Sequence, residues 1–317
     1  MSGDLIRAAR WQYPDEIPVS IGMLPAVWRK YGDEARNFAA RYPQFFGDLS
    51  EKYNYDQYTP GSYHTGKFTD EWGCVWENIH EGAESIVKGH PITSAEQIRT
   101  LQIPTNCDGR IPHGFMYLRL LDLCGFELGM ELFATEQPEL QMLIDKVVEH
   151  NVIQVSVAIE NVGEMMVFGD DLGMQKGLAI GAPKWRRYLK PAFDKIYALP
   201  RERGKLIYMH TDGCIHEIMD DLVDCGVTMI NPQIRANGLD NLVRVCRGRI
   251  PINLDLDRQL FPFTDPAGIH EHVEESVRRM YLPQGGLGLS IEIGDDVPLE
   301  NMYALADAAE EFRWWKG

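Results

Sequence analysis

No stretch of the 317-residue sequence stays apolar for the roughly 20 residues a bilayer span needs. The opening Met-Ser-Gly-Asp-Leu-Ile-Arg lacks the apolar core of a secretory signal and the length of a membrane anchor. These absences predict a cytoplasmic protein with no membrane partner. None of the six cysteines (Cys74, Cys107, Cys124, Cys214, Cys225 and Cys246) stands at CxxC spacing to another, so free thiols are expected. Positive charge is also scarce. Lys and Arg number 31 against 47 Asp and Glu, leaving a net charge of −16. An acidic chain with no basic patch interleaved with aromatics disfavours nucleic acid as a partner. Low-complexity segments and short-period repeats are missing as well.

The remainder is ordinary globular composition, 44% hydrophobic and 25% charged. The length fits one α/β barrel or two modest domains. Short apolar runs closed by turn residues predict strands near 18–24, 68–75, 110–116, 165–170, 205–210, 227–231, 251–256 and 286–292. Helical periodicity falls mostly between them, notably over 25–42, 117–132, 138–164, 183–199, 215–225, 239–246, 266–281 and from Pro298 onward. Eight strands with helical crossovers predict a (β/α)8 TIM barrel, a single domain over 1–317 with an N-terminal helical and loop extension. That extension is a lead-in over 1–16 and a long front loop over 43–68.

The centre of this pattern is Lys205-Leu-Ile-Tyr-Met-His-Thr-Asp-Gly213, a buried strand ending in polar residues. His210 and Asp212 are two residues apart and project to the same side of a strand. They either satisfy a local turn or belong to a site at the strand's C-terminal end, where α/β folds bind ligands. Polar residues recur at such ends: Asp170, Asn231, Gln233, Asp257 and Glu292 join His210 and Asp212. Asp170 and Asp171 are adjacent, so at most one faces a site unless the chain turns between Gly169 and Gly173. Asn253, Asp255 and Asp257 share one face of their strand, which is meaningful if it is the core face. Trp72 and Trp76, with Asp70 and Glu71, are either a buried tryptophan pair with rim carboxylates or part of a substrate pocket. This clustering at strand ends points to an enzyme.

Four segments carry a resemblance: Phe168-Gly-Asp-Asp-Leu-Gly173, Met209-His-Thr-Asp-Gly213 followed by Asp221-Leu-Val-Asp-Cys-Gly-Val227, Asn231-Pro232, and Ile293-Gly294 leading into Val297-Pro-Leu-Glu-Asn301. In order and spacing the chain resembles the uroporphyrinogen decarboxylase superfamily over nearly its whole length. That superfamily includes cofactor-free decarboxylases and corrinoid-dependent methyltransferases. The decarboxylases carry an arginine-rich motif after the first strand, which grips substrate carboxylates. Here the matching Gly22-Met-Leu-Pro-Ala-Val-Trp28 has no arginine before Arg29, which favours the methyltransferase branch.

That branch often holds zinc in a His-x-Cys pair completed by a cysteine at the last strand. His210 matches the histidine, Asp212 stands where the first cysteine would be, and Glu292 stands at or beside the second. The resemblance therefore implies zinc on His210, Asp212 and Glu292, an oxygen-rich set in place of thiolates. Cys214 is not counted as a ligand. The implied reaction is demethylation of a methoxylated small molecule, aromatic ones included, or of a methylated one. The methyl group passes to a corrinoid held by a partner protein, since no Asp-x-His-x-x-Gly cobalamin motif occurs in the chain. His210, Asp212, Asp170 and Asp257 would be catalytic, with a metal or an acid activating the leaving group. Met23, Tyr63, His64, Trp72, Trp76, Asp171, Asn231, Gln233 and Arg258 would contact substrate. The resemblance also implies a homodimer. A corrinoid-independent lyase on the same barrel, and a non-catalytic binding barrel, are the alternatives.

Overall fold

The structure, a computed structural model, describes residues 3–48 and 53–317. Among the described residues nine strands form: β1 Val19–Met23, β2 Gly66–Thr69, β3 Val75–Asn78, β4 Ile86–Gly89, β5 Met165–Gly169, β6 Leu206–Thr211, β7 Met229–Pro232, β8 Ile252–Asp255 and β9 Leu287–Ile293. The chain divides into two compact units. One comprises Thr69–Trp76 and Val87–Ile252; the other comprises Met1–Phe68, Glu77–Ile86 and Asn253–Gly317.

In the first unit β5, β6 and β7 are parallel neighbours, and Ile230 of β7 pairs with Ile252 at the start of β8. In the second, β1 pairs in parallel with β9, which lies beside the remainder of β8. These are the six parallel strands of a TIM-barrel-like α/β fold, as the alternation of elements predicted. β7 and β8 are buried throughout, as parallel strands covered on both faces must be. Parallel neighbours need long crossovers, and helices such as Lys190–Glu202 and Leu239–Cys246 supply them. β2, β3 and β4 form a separate three-stranded sheet, in that order.

Two expected strands are corrected. Residues 110–116 form a loop, because Pro112 lacks an amide donor and Gly114 sits at φ +72, neither compatible with a central strand. The expected strand over 68–75 is a tight turn between β2 and β3. Asp70 Oδ1 accepts the amides of Trp72 and Cys74, and Gly73 sits at φ +87. The strand β4 was not anticipated. Three helical readings also shift. The segment 25–42 breaks at Gly32 into Pro25–Tyr31 and Asp33–Arg41. The helix Tyr117–Thr135 runs past its expected end with a break at Gly125, φ 76. The front loop contains short helices at Pro43–Phe46 and Tyr55–Tyr58; residues 49–52 of it lie outside the described residues. The lead-in helix forms as Gly3–Ala9.

Each unit has its own aromatic core. Phe115, Phe168, Phe193 and Tyr197 interlock in the first, with the rings of Phe168 and Tyr197 4.7 Å apart. Phe38, Tyr42, Phe46 and Tyr303 do so in the second. Full burial of such a side chain contributes about 1.5–3 kcal/mol. Among the described residues no helix is long and apolar enough to cross a membrane.

Candidate active site

Strand register assembles the first part of the site. In the β5–β6–β7 ladder Gly169, His210 and Asn231 stand side by side, one residue from each strand. His210 Nδ1 lies 2.7 Å from Asn231 Oδ1. With an amide oxygen as acceptor, Nδ1 is the donor. Nε2 is 3.4 Å from Asp212 Oδ1, so the i, i+2 projection expected from the sequence is realised.

The second part comes from the two chain segments beside Gly169. The loop before helix Tyr117–Thr135 brings His113 over the end of β5, where its Nε2 is 3.1 Å from Asp171 Oδ1. The rings of His113 and His210 are 5.5 Å apart. Gly169 makes this approach possible: a Cβ there would stand 2.7 Å from His113 Nδ1. Burial by itself would lower the His113 pKa, but the hydrogen bond and charge of Asp171 outweigh it and raise the value above 6.5. Burial would likewise raise Asp171, yet His113 and the Asp212 amide hold it below the ordinary carboxylate value. The two shifts have opposite directions because each group favours the charged form of the other. His113, Asp171 and His210 each offer one donor atom, all within 4.8 Å of one another.

The adjacent carboxylates divide their duties. Asp170 is fully buried and accepts the amides of Met116, Tyr117 and Leu118, the first turn of helix Tyr117–Thr135. Burial pushes its carboxyl up, and the helix amides pull it back toward ionisation. Its geometry is that of a cap, whereas Asp171 faces the histidines. Only one of the two looks into the site, as their adjacency required.

A model of the uroporphyrinogen decarboxylase family matches residues 120–312, well over half of the chain. The chain belongs to the uroporphyrinogen decarboxylase family. Its fold is similar to a solved methyltransferase from Methanosarcina mazei, with a TM-score of 0.64 at 16% identity, covering 97% of this chain and 98% of that one. At that identity the likeness is one of fold. A dihydropteroate synthase from Xanthomonas albilineans, solved with 4-aminobenzoic acid, aligns over 45% of this chain and 52% of that one, at 19% identity and a TM-score of 0.32. No curated protein sequence matches the chain.

In this member of the uroporphyrinogen decarboxylase family the other expected site residues have varied surroundings. Gln233 Oε1 accepts the Gly213 amide and so shapes the turn after β6. Trp72 is buried edge-on against His150. Trp76 is half-buried, with its indole N–H held by Asp70. That carboxylate also binds the buried Arg119, 2.6 Å away, whose second carboxylate neighbour is Asp122 at 3.9 Å. Burial pushes Asp122 up to about 6, against the pull of Arg119.

The remaining expected residues belong to the second unit. Met23 closes β1 opposite Ile293. Glu292 is ion-paired with Arg258. Asp257 accepts the Gln259 amide, and its own amide donates to His272 Nε2. His64 Nδ1 is 2.7 Å from Glu81, which also accepts the Tyr55 hydroxyl and the Thr65 amide. Burial pushes the Tyr63 phenol up to about 12, so it stays protonated. Of the face carrying Asn253, Asp255 and Asp257, the first two are buried, as are Ile252 and Leu254 on the other face.

The thiolate zinc site that the resemblance brings to mind does not fit these residues. Cys214, the thiol nearest His210 in sequence, is buried and its pKa is raised by that burial. Its Sγ lies 3.3 Å from His216 Nδ1. Two imidazoles and a carboxylate are instead borderline and hard donors, a set zinc accepts. His113 was missed by the sequence reading, which placed it in a strand and gave it no role. The Pro112-His113-Gly114 punctuation is the one local signal that this histidine lies on a loop.

Proposed function

We propose that the protein is a methyltransferase that moves a methyl group from a methoxylated or methylated small molecule to the cobalt of a corrinoid carried by a partner protein. The single observation that carries this is the cluster of His113, Asp171 and His210 at the ends of β5 and β6, in a chain of this family. The full-length likeness to a methyltransferase fold supports the same class. The missing arginines after β1 weigh against a porphyrinogen substrate: Arg29, the first cation there, is exposed on its helix.

A corrinoid held by the partner would supply the nucleophile, as a cobalt(I) centre with an electron pair to accept the methyl group. The bond that breaks is carbon–oxygen or carbon–nitrogen, and its electrons stay on the heteroatom. An alkoxide, phenolate or amide anion is a poor leaving group, so the heteroatom must receive a proton or a cation as the bond breaks. His113, when protonated and held by Asp171, would give that proton. His210, with Nδ1 fixed by Asn231, would orient the methyl donor through Nε2. A metal ion on these residues would instead supply Lewis-acid polarisation of the leaving atom.

The test is an assay with free cob(I)alamin and a panel of methoxybenzoates and methylamines, read by the visible spectrum of methylcobalamin. Cobalt methylation that depends on the protein is expected for at least one donor. His113→Ala should slow it by about 10²–10⁴, the usual weight of a general acid. Product formed equally well with no corrinoid would replace methyl transfer with the lyase reading.

A further inference from the structure

We infer that His113 Nε2, one oxygen of Asp171 and His210 Nε2 form a three-ligand site for a divalent transition-metal ion, leaving a position open for the leaving atom of the substrate. The ligand set shares only His210 with the one implied by resemblance, and it lies within a single compact unit. Around one ion with bonds of about 2.0–2.2 Å, neighbouring ligand atoms stand roughly 3.3–3.6 Å apart in tetrahedral geometry. His113 and Asp171 are already at 3.1 Å, and the widest separation in the cluster is at most 4.8 Å. The shortfall of about 1 Å is within reach of an imidazole rotation. The His113 side chain is 40% exposed and has room to make it.

The support around the ligands is what a metal site requires. A ligating histidine is held by a hydrogen bond at its other nitrogen, as Asn231 holds His210 at Nδ1. A ligating carboxylate is itself hydrogen-bonded, as Asp171 is by the Asp212 amide at 3.2 Å. Asp212 Oδ1, 3.4 Å from His210 Nε2, adds negative charge beside the cation. Two imidazoles and one carboxylate suit zinc, cobalt(II) or iron(II) over calcium or magnesium, which prefer all-oxygen shells.

The site concerns the same cluster as the proposed methyl transfer, and its test needs neither methyl donor nor corrinoid, so each can fail alone. The full-length protein is stripped with chelator, dialysed against zinc chloride and analysed for metal. About one zinc per chain is expected. His113→Ala and His210→Ala should each bind at least tenfold more weakly, while Glu292→Gln binds as wild type. Zinc should raise the melting temperature of the wild type but not of the two histidine variants, whose metal-free melts report whether they fold. Cobalt(II) should give a visible spectrum without a thiolate charge-transfer band. A wild-type protein that holds no zinc, a His113→Ala variant that binds as tightly as wild type, or a thiolate band would overturn the assignment.

Discussion

His113 and Asp171 set each other's charge, and that coupling is measurable. Replacing Asp171 by asparagine removes the hydrogen bond and charge that raise His113, leaving burial to lower it. In Asp171→Asn the His113 ring should titrate at lower pH than in wild type, read by NMR of the imidazole protons. His113, raised in the fold, contributes fully to stability below its unfolded value of 6.5 and loses that contribution as pH rises through its folded value. Asp171, lowered in the fold, contributes fully above its unfolded 3.8 and loses it as pH falls through its folded value. The ion pair is therefore strongest at mildly acid pH, and wild-type protein should lose more stability than Asp171→Asn on moving to alkaline pH in urea melts. His210, Asp212 and Asn231 were legible because strand ends have a fixed two-residue alternation. His113 was not, because a loop has no periodicity from which direction can be read.

Helix Tyr117–Thr135 begins on a carboxylate from another part of the chain. Asp170 accepts three of its first amides while fully buried. Asp170→Ala would leave those amides without an acceptor and water excluded. We expect a loss of at least about 2 kcal/mol in urea unfolding, above the roughly 1 kcal/mol of an exposed cap. Asp170→Asn keeps an acceptor oxygen and should lose less. Gly169→Ala acts differently. Its Cβ would displace the half-exposed His113 ring, so catalysis should fall while the unfolding midpoint changes little, measured on the same sample. Strands β5 to β9 were readable within one or two residues because apolar runs, β-branched content and closing turns agreed. The expected strand over 110–116 failed where Pro112 and Gly114 outweighed apolar Ile111, Phe115 and Met116. The one over 68–75 failed because the Asp70 turn is made by side-chain acceptance, which hydrophobic periodicity does not register.

On the scale of the whole molecule, a net charge of −16 constrains the substrate. Porphyrinogens bearing many carboxylates would meet repulsion, and no arginine cluster follows β1 to offset it. Uroporphyrinogen should be neither bound nor decarboxylated, even at low ionic strength where any attraction would be strongest; fluorescence of the oxidised porphyrin products would reveal the contrary. The α/β class and its helical crossovers were legible from alternation alone. The division into two compact units was not, since β8 passes from one to the other without a break in apolar pattern. The neighbouring carboxylates after β5 carry a final consequence for inheritance. Asp170 anchors a helix and Asp171 faces the histidines, with nothing between them. Insertion of one non-acidic residue just after Gly169 would move the first carboxylate into the site-facing place and leave the capping place without one. Descendants of this chain that lengthen it here keep both the helix anchor and the chemistry only if the added residue is itself acidic.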